Sequence, residues 1–228
     1  MDCRPDKTRL DASFACLVLN CNQLNPTWRD VKIYNAAVNA IKNNPYDLVM
    51  RKLETTKWKV SVFSDASHGN LPPDGTGTGG GYIIFLSNGY IKGEKNRCNV
   101  LTWKYAKLKK ACTSTTEAET IQLNDAILEA EMIKEILVQT TMAPEGLIEI
   151  EAFCDNRNAV FNLKSLTIKE PQFPIRMYIK RMKDLMDEGY IKKIEEIGDS
   201  EQIADNLSKL TGTRMDLVQT LKQGRFFH

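Results

Sequence analysis

The order of strand-like and helix-like segments predicts an α/β domain built on a mixed sheet. Polar and apolar residues alternate from about residue 59, which indicates strands, and Ser87-Asn88-Gly89 is a hairpin signal. Helical spacing of apolar residues then runs from about residue 115 to 140. The resulting order, β-β-β-α-β-α-β-α, is typical of an α/β domain whose first strands are antiparallel.

Each element follows from its local pattern. Residues 1–57 have helical spacing of apolar residues, and they predict helices at 12–20 and 31–41 that end at proline or asparagine signals. The glycine-rich residues 75–81 predict a flexible hairpin connection, because they lack the Gly-Lys-Ser/Thr of a phosphate-binding loop. The remaining predictions, in chain order, are strand 59–64, turn-rich segment 69–81, strands 82–86 and 99–103, helix 115–140, strand 147–154, helices 156–163 and 174–188, strand 190–194 and helix 201–210.

Composition places the chain among ordinary globular proteins. It has 228 residues, 42% of them hydrophobic and 26% charged, and its net charge is +2. These values are not those of disordered, collagen-like or coiled-coil chains. No apolar run is long enough to span a bilayer and no signal peptide is recognised, so we expect a protein that is not secreted and lies in the cytoplasm, in a virus-like particle or in the nucleus. The six cysteines form no CxxC pair, which favours reduced thiols over a zinc site or disulfides.

The near-zero net charge hides an uneven distribution. Residues 92–110 carry +6, residues 111–155 carry −9 and residues 156–193 carry +5. Two interpretations stay open at this point: solvated helix faces, or basic surfaces that hold a polyanion beside metal-binding carboxylates.

Acidic residues occur at the ends of several predicted elements. Asp65 closes the first strand, Asp155 follows the fourth, and Asp205 lies near the start of the last helix. A fourth acid comes from the long helix, where Glu117 and Glu119 are the candidates.

Helical geometry separates the two glutamates. The apolar stripe of the long helix consists of Leu123, Ala126, Ala130, Ile133 and Leu137, and four residues before it stands Glu119. Glu119 is therefore expected to face the sheet. Glu117 lies about 200° away around the helix and follows Ser114 by three residues, as in a capping box. A carboxylate at the end of an apolar stripe needs a partner, and oxygen ligands suit Mg²⁺ or Mn²⁺.

Four motifs contain the candidate acids: Phe63-Ser-Asp-Ala-Ser67, Thr115-Thr-Glu-Ala-Glu119, Cys154-Asp-Asn156 and Gln202-Ile-Ala-Asp-Asn-Leu-Ser-Lys209. Their order along the chain resembles that of ribonuclease H, and their sequences are most similar to the RNase H domain of copia-type LTR retrotransposon Pol polyproteins. The resemblance covers about residues 58–211. It implies three parts: a helical connection segment from reverse transcriptase (1–57), an RNase H-like domain (58–211) and a C-terminal tail (212–228).

The resemblance also implies a fold, an activity and a site. The fold is a five-stranded mixed sheet, with three antiparallel strands followed by parallel ones, and helices on both faces. The activity is hydrolysis of the RNA strand of RNA/DNA hybrids with two Mg²⁺ ions, for which Mn²⁺ can substitute. The implied catalytic and metal-binding acids are Asp65, Glu119, Asp155 and Asp205. The implied partners are the hybrid and a reverse transcriptase polymerase domain of the parent polyprotein, with no membrane.

Two departures from the family leave alternatives open. The histidine that relatives often carry near the last acid is absent, since the only histidines are His68, interpreted as a turn residue, and His228. No Tyr/Phe-x-Asp-Asp polymerase motif occurs, so we expect a fragment, a truncated copy or a domesticated remnant. The alternatives are a catalytically weak or inactive nucleic-acid-binding remnant and a transposase or integrase of related fold.

Residues near the acids are candidates for contacts with nucleic acid. Cations would bind phosphates, and short polar groups would contact the 2′-OH groups that distinguish RNA from DNA. Ordinary solvated charge is the alternative interpretation of the lysines. The candidates are Lys104, Lys107, Lys109, Lys110, Thr115, Thr116, Asn156, Arg176 and Lys180, with Arg181 and Lys183 on the same predicted helix as the last two.

Overall fold

The structure, a computed structural model, describes residues 9–43, 45–53, 57–71, 77–92, 94–144, 146–165, 173–208 and 215–226. Within these ranges the strands are β1 (Trp58–Leu71), β2 (Gly77–Ser87), β3 (Cys98–Lys107), β4 (Ile148–Cys154) and β5 (Ile191–Glu196). The helices are α1 (Ser13–Cys21), α2 (Trp28–Asn43), α3 (Thr115–Thr141), α4 (Arg157–Lys164), α5 (Phe173–Asp187) and α6 (Met215–Gln223), with short 3₁₀ helices at Leu10–Ala12 and Ile203–Leu207.

The five strands form one mixed sheet in the order β3-β2-β1-β4-β5. β1 pairs antiparallel with β2, and β2 pairs antiparallel with β3. β4 lies parallel to β1 on its other edge, with Phe63 opposite Phe153, and β5 is parallel to β4. The predicted α/β class and the five-stranded mixed sheet, with three antiparallel strands followed by parallel ones, are confirmed.

Two apolar clusters cover the two faces of the sheet. Alternate residues of β1 point to opposite faces, so Val60 and Val62 enter one cluster with α3 and α5, while Phe63 enters the other. In the second cluster, Phe63 stacks on Phe153 with ring centroids 5.0 Å apart. The 3₁₀ helix Ile203–Leu207 and α6 contribute to this second cluster, so helices lie on both faces as predicted.

The first three strands are longer than predicted, and β3 runs from Cys98 to Lys107 where a strand at 99–103 was expected. β1 continues to Leu71, so His68 lies in a strand and its Nε2 is 2.9 Å from the carbonyl oxygen of Cys112. The interpretation of His68 as a turn residue was therefore wrong. Residues 77–81 belong to β2 rather than to a flexible connection, and residues 72–76 lie outside the described residues.

The glycines of β2 allow close side-chain approach. A Cβ atom at Gly81 would stand 2.7 Å from Cδ2 of Tyr105 and 3.0 Å from the carbonyl oxygen of Lys104. A Cβ atom at Gly79 would stand 2.4 Å from the Tyr105 hydroxyl. Tyr105 therefore lies over this part of β2, and the glycines provide close approach where a turn was predicted.

The segments outside the predicted RNase H-like domain pack against it. Leu10, Leu217, Leu221 and Phe226 are all buried in the second cluster. Residues 212–228, predicted as a tail, thus contain helix α6 and core side chains. The division of the chain at residues 57 and 211 stays a prediction.

Other elements lie close to their predicted positions. The segment predicted as helix 201–210 is, in its described part, the 3₁₀ helix Ile203–Leu207, and residues 209–210 lie outside the described residues. Among the described helices, none has the length and apolar composition needed to cross a membrane.

Candidate active site

Asp65 lies in β1, and Asp155 directly follows β4, the parallel neighbour of β1. Because Phe63 faces Phe153 in the β1–β4 register, Asp65 and Asp155 each follow a paired residue by two positions at the same end of the sheet. Asp65 is buried and pairs with Gly81 of β2. Asp155 is half-buried and comes directly after β4.

Glu119 connects these two strand ends from α3. Its side chain is only 5% exposed. Oε1 accepts a hydrogen bond of 3.0 Å from the backbone N–H of Ala66, and the Cys154 thiol donates to Oε2 at 3.7 Å. The carboxylate thus contacts the neighbours of both Asp65 and Asp155, as expected of a residue at the start of the helix's apolar stripe.

Glu117 has a different role, although it is also buried. Ser114 is the N-cap of α3 and its hydroxyl accepts from the Glu117 backbone N–H. The Glu117 carboxylate accepts from the N–H and the hydroxyl of Thr113, at 2.7 and 2.8 Å. The structure therefore places Glu117 in the cap of α3 rather than among the clustered acids.

Asp205 is held near the site by Gln202, which the sequence analysis did not assign to it. The Gln202 amide is buried and donates to the carbonyl oxygen of Ser64 at 2.8 Å, which attaches the 3₁₀ helix to β1 beside Asp65. Its Oε1 accepts from the Ala204 N–H, so Gln202 also caps the 3₁₀ helix. Burial raises the pKa of Asp155, and the Gln202 side chain opposes this shift. Gln202 stands three residues before Asp205 in the same motif, and this proximity was the signal in the sequence that could have assigned Gln202 to the site.

Burial and mutual repulsion act on the acids. Burial raises the pKa of Glu119 well above its usual value, and the negative charges of Asp65 and Asp155 raise it further. Burial is also the largest cause that raises the pKa of Asp155, with Asp199 and Asp205 adding to it. Carboxylates in this arrangement favour a bound cation or a proton.

The donor atoms suit a hard divalent cation. Ligand atoms of Glu119, Cys154 and Asp155 all lie within 4.8 Å of one another, and Asp65 and Asp205 are outside this tight group. Burial raises the pKa of the Cys154 thiol well above its usual value, so it stays protonated and serves as a donor to Glu119. The remaining donors are carboxylate oxygens, which fit Mg²⁺ or Mn²⁺.

Tyr105 is a second residue that the sequence analysis did not assign to the site. It pairs with Gly81, which in turn pairs with Asp65. Burial raises its pKa above the usual value, and the charges of Asp65 and Asp205 add to this effect. Its hydroxyl is buried and has no hydrogen-bond partner among the described residues. No sequence motif contains Tyr105, because strand pairing alone places it there.

The predicted lysines of the first basic segment share one surface. Lys104, Lys107, Lys109 and Lys110 line a cleft of about 410 Å³ together with Tyr178 of α5. The Lys110 ammonium lies 4.9 Å from the centroid of the Tyr178 ring.

The other candidate contacts are divided between surface and structural roles. Arg176 and Lys180 are exposed on α5, and Thr115 is exposed at the start of α3. The carbonyl of Thr116 accepts from the Thr120 hydroxyl, and Asn156 is the N-cap of α4 through a bond of 3.0 Å from the Ala159 N–H.

Two further cations of α5 are used within the protein. Arg181 forms an ion pair with Glu131 of α3, and Lys183 donates to the carbonyl oxygen of Ser165.

Comparison with known proteins gives structural neighbours only. No family model matches the chain, and no curated protein matches it. The structure is similar to the N-terminal RNase H domain of a Mycobacterium tuberculosis protein (TM-score 0.44, 16% identity, covering 72% of this chain and 96% of that one). It is also similar to LC11-RNase H1, isolated from compost (0.44, 18%, 67% and 93%), and to the prototype foamy virus RNase H domain (0.41, 14%, 73% and 93%). Likeness at this level supports no statement about activity.

Proposed function

We propose that this protein is a metal-dependent endonuclease that hydrolyses the RNA strand of RNA/DNA hybrids and derives from a retrotransposon Pol polyprotein. The supporting observation is Glu119, a buried carboxylate that contacts both central strands beside Asp65 and Asp155. Such a costly arrangement of like charges in a core is typical of a metal-binding site.

The residues around the cluster have separable roles in this proposal. Asp65, Glu119, Asp155 and Asp205 would hold two Mg²⁺ ions, which activate a water molecule and stabilise the leaving oxygen when bound. Gln202 acts as a positioning residue, because it joins the 3₁₀ helix of Asp205 to β1. The lysine-lined cleft between β3 and α5 would hold backbone phosphates.

The front segment supports a proposal about a partner. Leu24, Trp28 and Tyr34 are 93%, 82% and 54% exposed. Large apolar side chains that are exposed on one segment make it a candidate protein interface. A polymerase domain of the parent polyprotein is the partner that fits a connection segment.

The alternative is a nucleic-acid-binding remnant with little or no activity. The absence of the family's usual histidine favours it, since the only histidines of the chain are His68 and His228.

One experiment separates the two functions. Purified protein with Mg²⁺ should cleave the RNA strand of a labelled hybrid, and Asp65→Asn should abolish the cleavage. Glu117→Gln is the matched control, because Glu117 caps α3 outside the cluster. If the wild-type protein binds the hybrid but cleaves nothing with Mg²⁺ or Mn²⁺, the nuclease proposal is refuted in favour of the remnant.

A further inference from the structure

A second basic surface lies outside the candidate active site. It is a cleft of about 540 Å³ whose lining includes Arg51, Lys52, Arg97 and Arg225. The described lining contains no aspartate or glutamate. We call it the distal cleft.

The distal cleft is at the opposite end of the sheet from the clustered acids. Tyr105 of β3 pairs with Gly81 of β2, and Gly81 pairs with Asp65 of β1, so these residues lie at the same end of the sheet. Arg97 stands eight residues before Tyr105, directly before β3 begins. At about 3.3 Å per strand residue, the two sites are about 25 Å apart along β3. None of the cations in the distal cleft belongs to the nucleic-acid contacts inferred from the sequence.

Backbone pairing builds the cleft from three separate parts of the chain. The buried Asn99 side chain accepts from the Arg51 N–H and donates to the Arg51 carbonyl, both at 2.7 Å. Arg97 donates to the carbonyl of Lys52 at 3.0 Å and forms a β-bridge with Arg225. These bonds bring front segment, strand and C-terminal residues together at fixed positions.

On the C-terminal side of the cleft, Gly224 leaves space for the Arg51 side chain. Gly224 has φ = +59°, and a Cβ atom there would stand 3.0 Å from Cδ of Arg51. The Gly224 carbonyl accepts from the Cys98 N–H at 2.9 Å, so this residue also joins β3. The Arg51 side chain thus lies across a glycine that leaves room for it.

The charges of Arg51, Lys52 and Arg225 are not balanced by the described part of the protein. No described carboxylate forms an ion pair with these three residues, and all three are exposed. Three cations exceed the charge of one phosphate group, which is about −1.5 to −2. An anion with several phosphates in a row balances them better, and arginine is suited to phosphate oxygens because its donors form a planar fork.

We propose that the distal cleft binds the phosphodiester backbone of a nucleic acid, as a site separate from the clustered acids. The proposal goes beyond RNA cleavage, because it requires neither a metal ion nor a carboxylate. A nucleic acid held there is bound through its phosphates and without sequence preference.

The test measures how binding of a short RNA/DNA hybrid depends on salt, with EDTA present to prevent cleavage. The cleft variant is Arg51→Gln/Lys52→Gln/Arg225→Gln, which leaves Arg97 and its structural bond to Lys52 in place. The control variant is Arg29→Gln/Lys32→Gln/Lys42→Gln, which removes the same charge from exposed positions on α2. Circular dichroism melting of both variants checks that they fold.

The slope of log K against log salt changes by about 0.9 for each phosphate contact. We expect the slope to be smaller by about 2 to 3 in the cleft variant and nearly unchanged in the control. Equal slopes for the cleft variant and the wild-type protein, or equal losses in both variants, would overturn the proposal.

Two competitors test the ligand class. Inorganic phosphate and polyglutamate are added at the same total charge as the hybrid. Weak competition by both supports a phosphodiester polyanion. If inorganic phosphate displaces the labelled hybrid as well as unlabelled hybrid does, the cleft is a site for single phosphates. If polyglutamate does so, the cleft is a site for acidic peptides. Either result overturns the proposal. A protein that cleaves nothing but shows the slope difference supports the distal cleft while refuting the nuclease.

Discussion

Neutralising Glu119 should stabilise the metal-free protein while it abolishes activity. The substitution Glu119→Gln keeps the side-chain shape and the acceptor for the Ala66 N–H. It removes the repulsion between Glu119 and Asp155, whose ligand atoms lie within 4.8 Å of each other. At an effective dielectric constant of about 20, this repulsion is about 3.5 kcal/mol. Because Asp155 is only half-buried and water screens its charge, we expect a gain of about 1–3 kcal/mol in the free energy of unfolding.

The gain should depend on pH in a defined direction. Since the folded protein raises the pKa of Glu119, the folded state holds this proton more tightly than the unfolded state. The wild-type protein therefore loses stability as the pH rises above the usual glutamate value of about 4.3. The advantage of Glu119→Gln should be full at a pH above the raised pKa and should vanish near about pH 4, where both states carry the proton.

Thermal melting without metal, at high and low pH, measures this difference. For a chain of this size, 2 kcal/mol corresponds to a Tm increase of about 4–8 °C. Added Mg²⁺ should raise the Tm of the wild-type protein more than that of the variant. A variant that melts below the wild-type protein at high pH, or that keeps the same advantage at low pH, would refute the reasoning.

Glu117→Gln is the matched control for this experiment. Glu117 is two residues away and similarly buried, but its carboxylate accepts two hydrogen bonds from Thr113. Bonds to a charged acceptor are stronger than neutral ones, so the variant should lose about 0.5–1.5 kcal/mol. A gain in the free energy of unfolding for Glu119→Gln and a loss for Glu117→Gln would distinguish the clustered acid from the acid of the helix cap.

Three further changes test the surroundings of the cluster. Gln202→Leu should lower the free energy of unfolding by about 1–3 kcal/mol and reduce kcat, because the buried carbonyl of Ser64 loses its donor. An unchanged kcat in a cleavage assay would show that Gln202 does not position the site. Tyr105→Phe should raise the free energy of unfolding in urea by about 1 kcal/mol, since its buried hydroxyl has no described partner; a loss would show that the hydroxyl is bonded. Gly81→Ala should cost about 1–3 kcal/mol by collision with Tyr105 and with the backbone of Lys104, and a neutral result in the same titration would mean that β2 and β3 can separate.

Local periodicity was sufficient for most of the fold. The stripe that includes Leu123, Ala126 and Ala130 predicted which side of α3 meets the sheet, and these residues are buried there. The same helical phase predicted that Glu119 faces the sheet, where its carboxylate accepts from the Ala66 N–H of β1. Such predictions succeed because a helix of this length repeats its pattern many times.

Features that depend on distant residues could not be predicted in this way. Glycines predict turns locally, but Gly79 and Gly81 lie in a strand because Tyr105 fills the space above them. Helix α6 was missed, since its nine residues were assigned to a tail. The four-residue spacing of Leu217 and Leu221 was its one local signal, and burial against the sheet stabilises it.

The second apolar cluster has a consequence for the order of folding. It joins Leu10 near the start of the chain to Phe226 near its end, and the rings of Phe63 and Phe226 are 5.8 Å apart. During synthesis, the cluster between the sheet and α3 can form from residues 60–194 while the C-terminal residues are still inside the ribosome. The opposite face, including Phe63 and Phe85, stays open to water until residues 217–226 have been synthesised and have packed. Docking of α6 is therefore the step that closes this face, and a nascent chain stalled before α6 would be a target for chaperones.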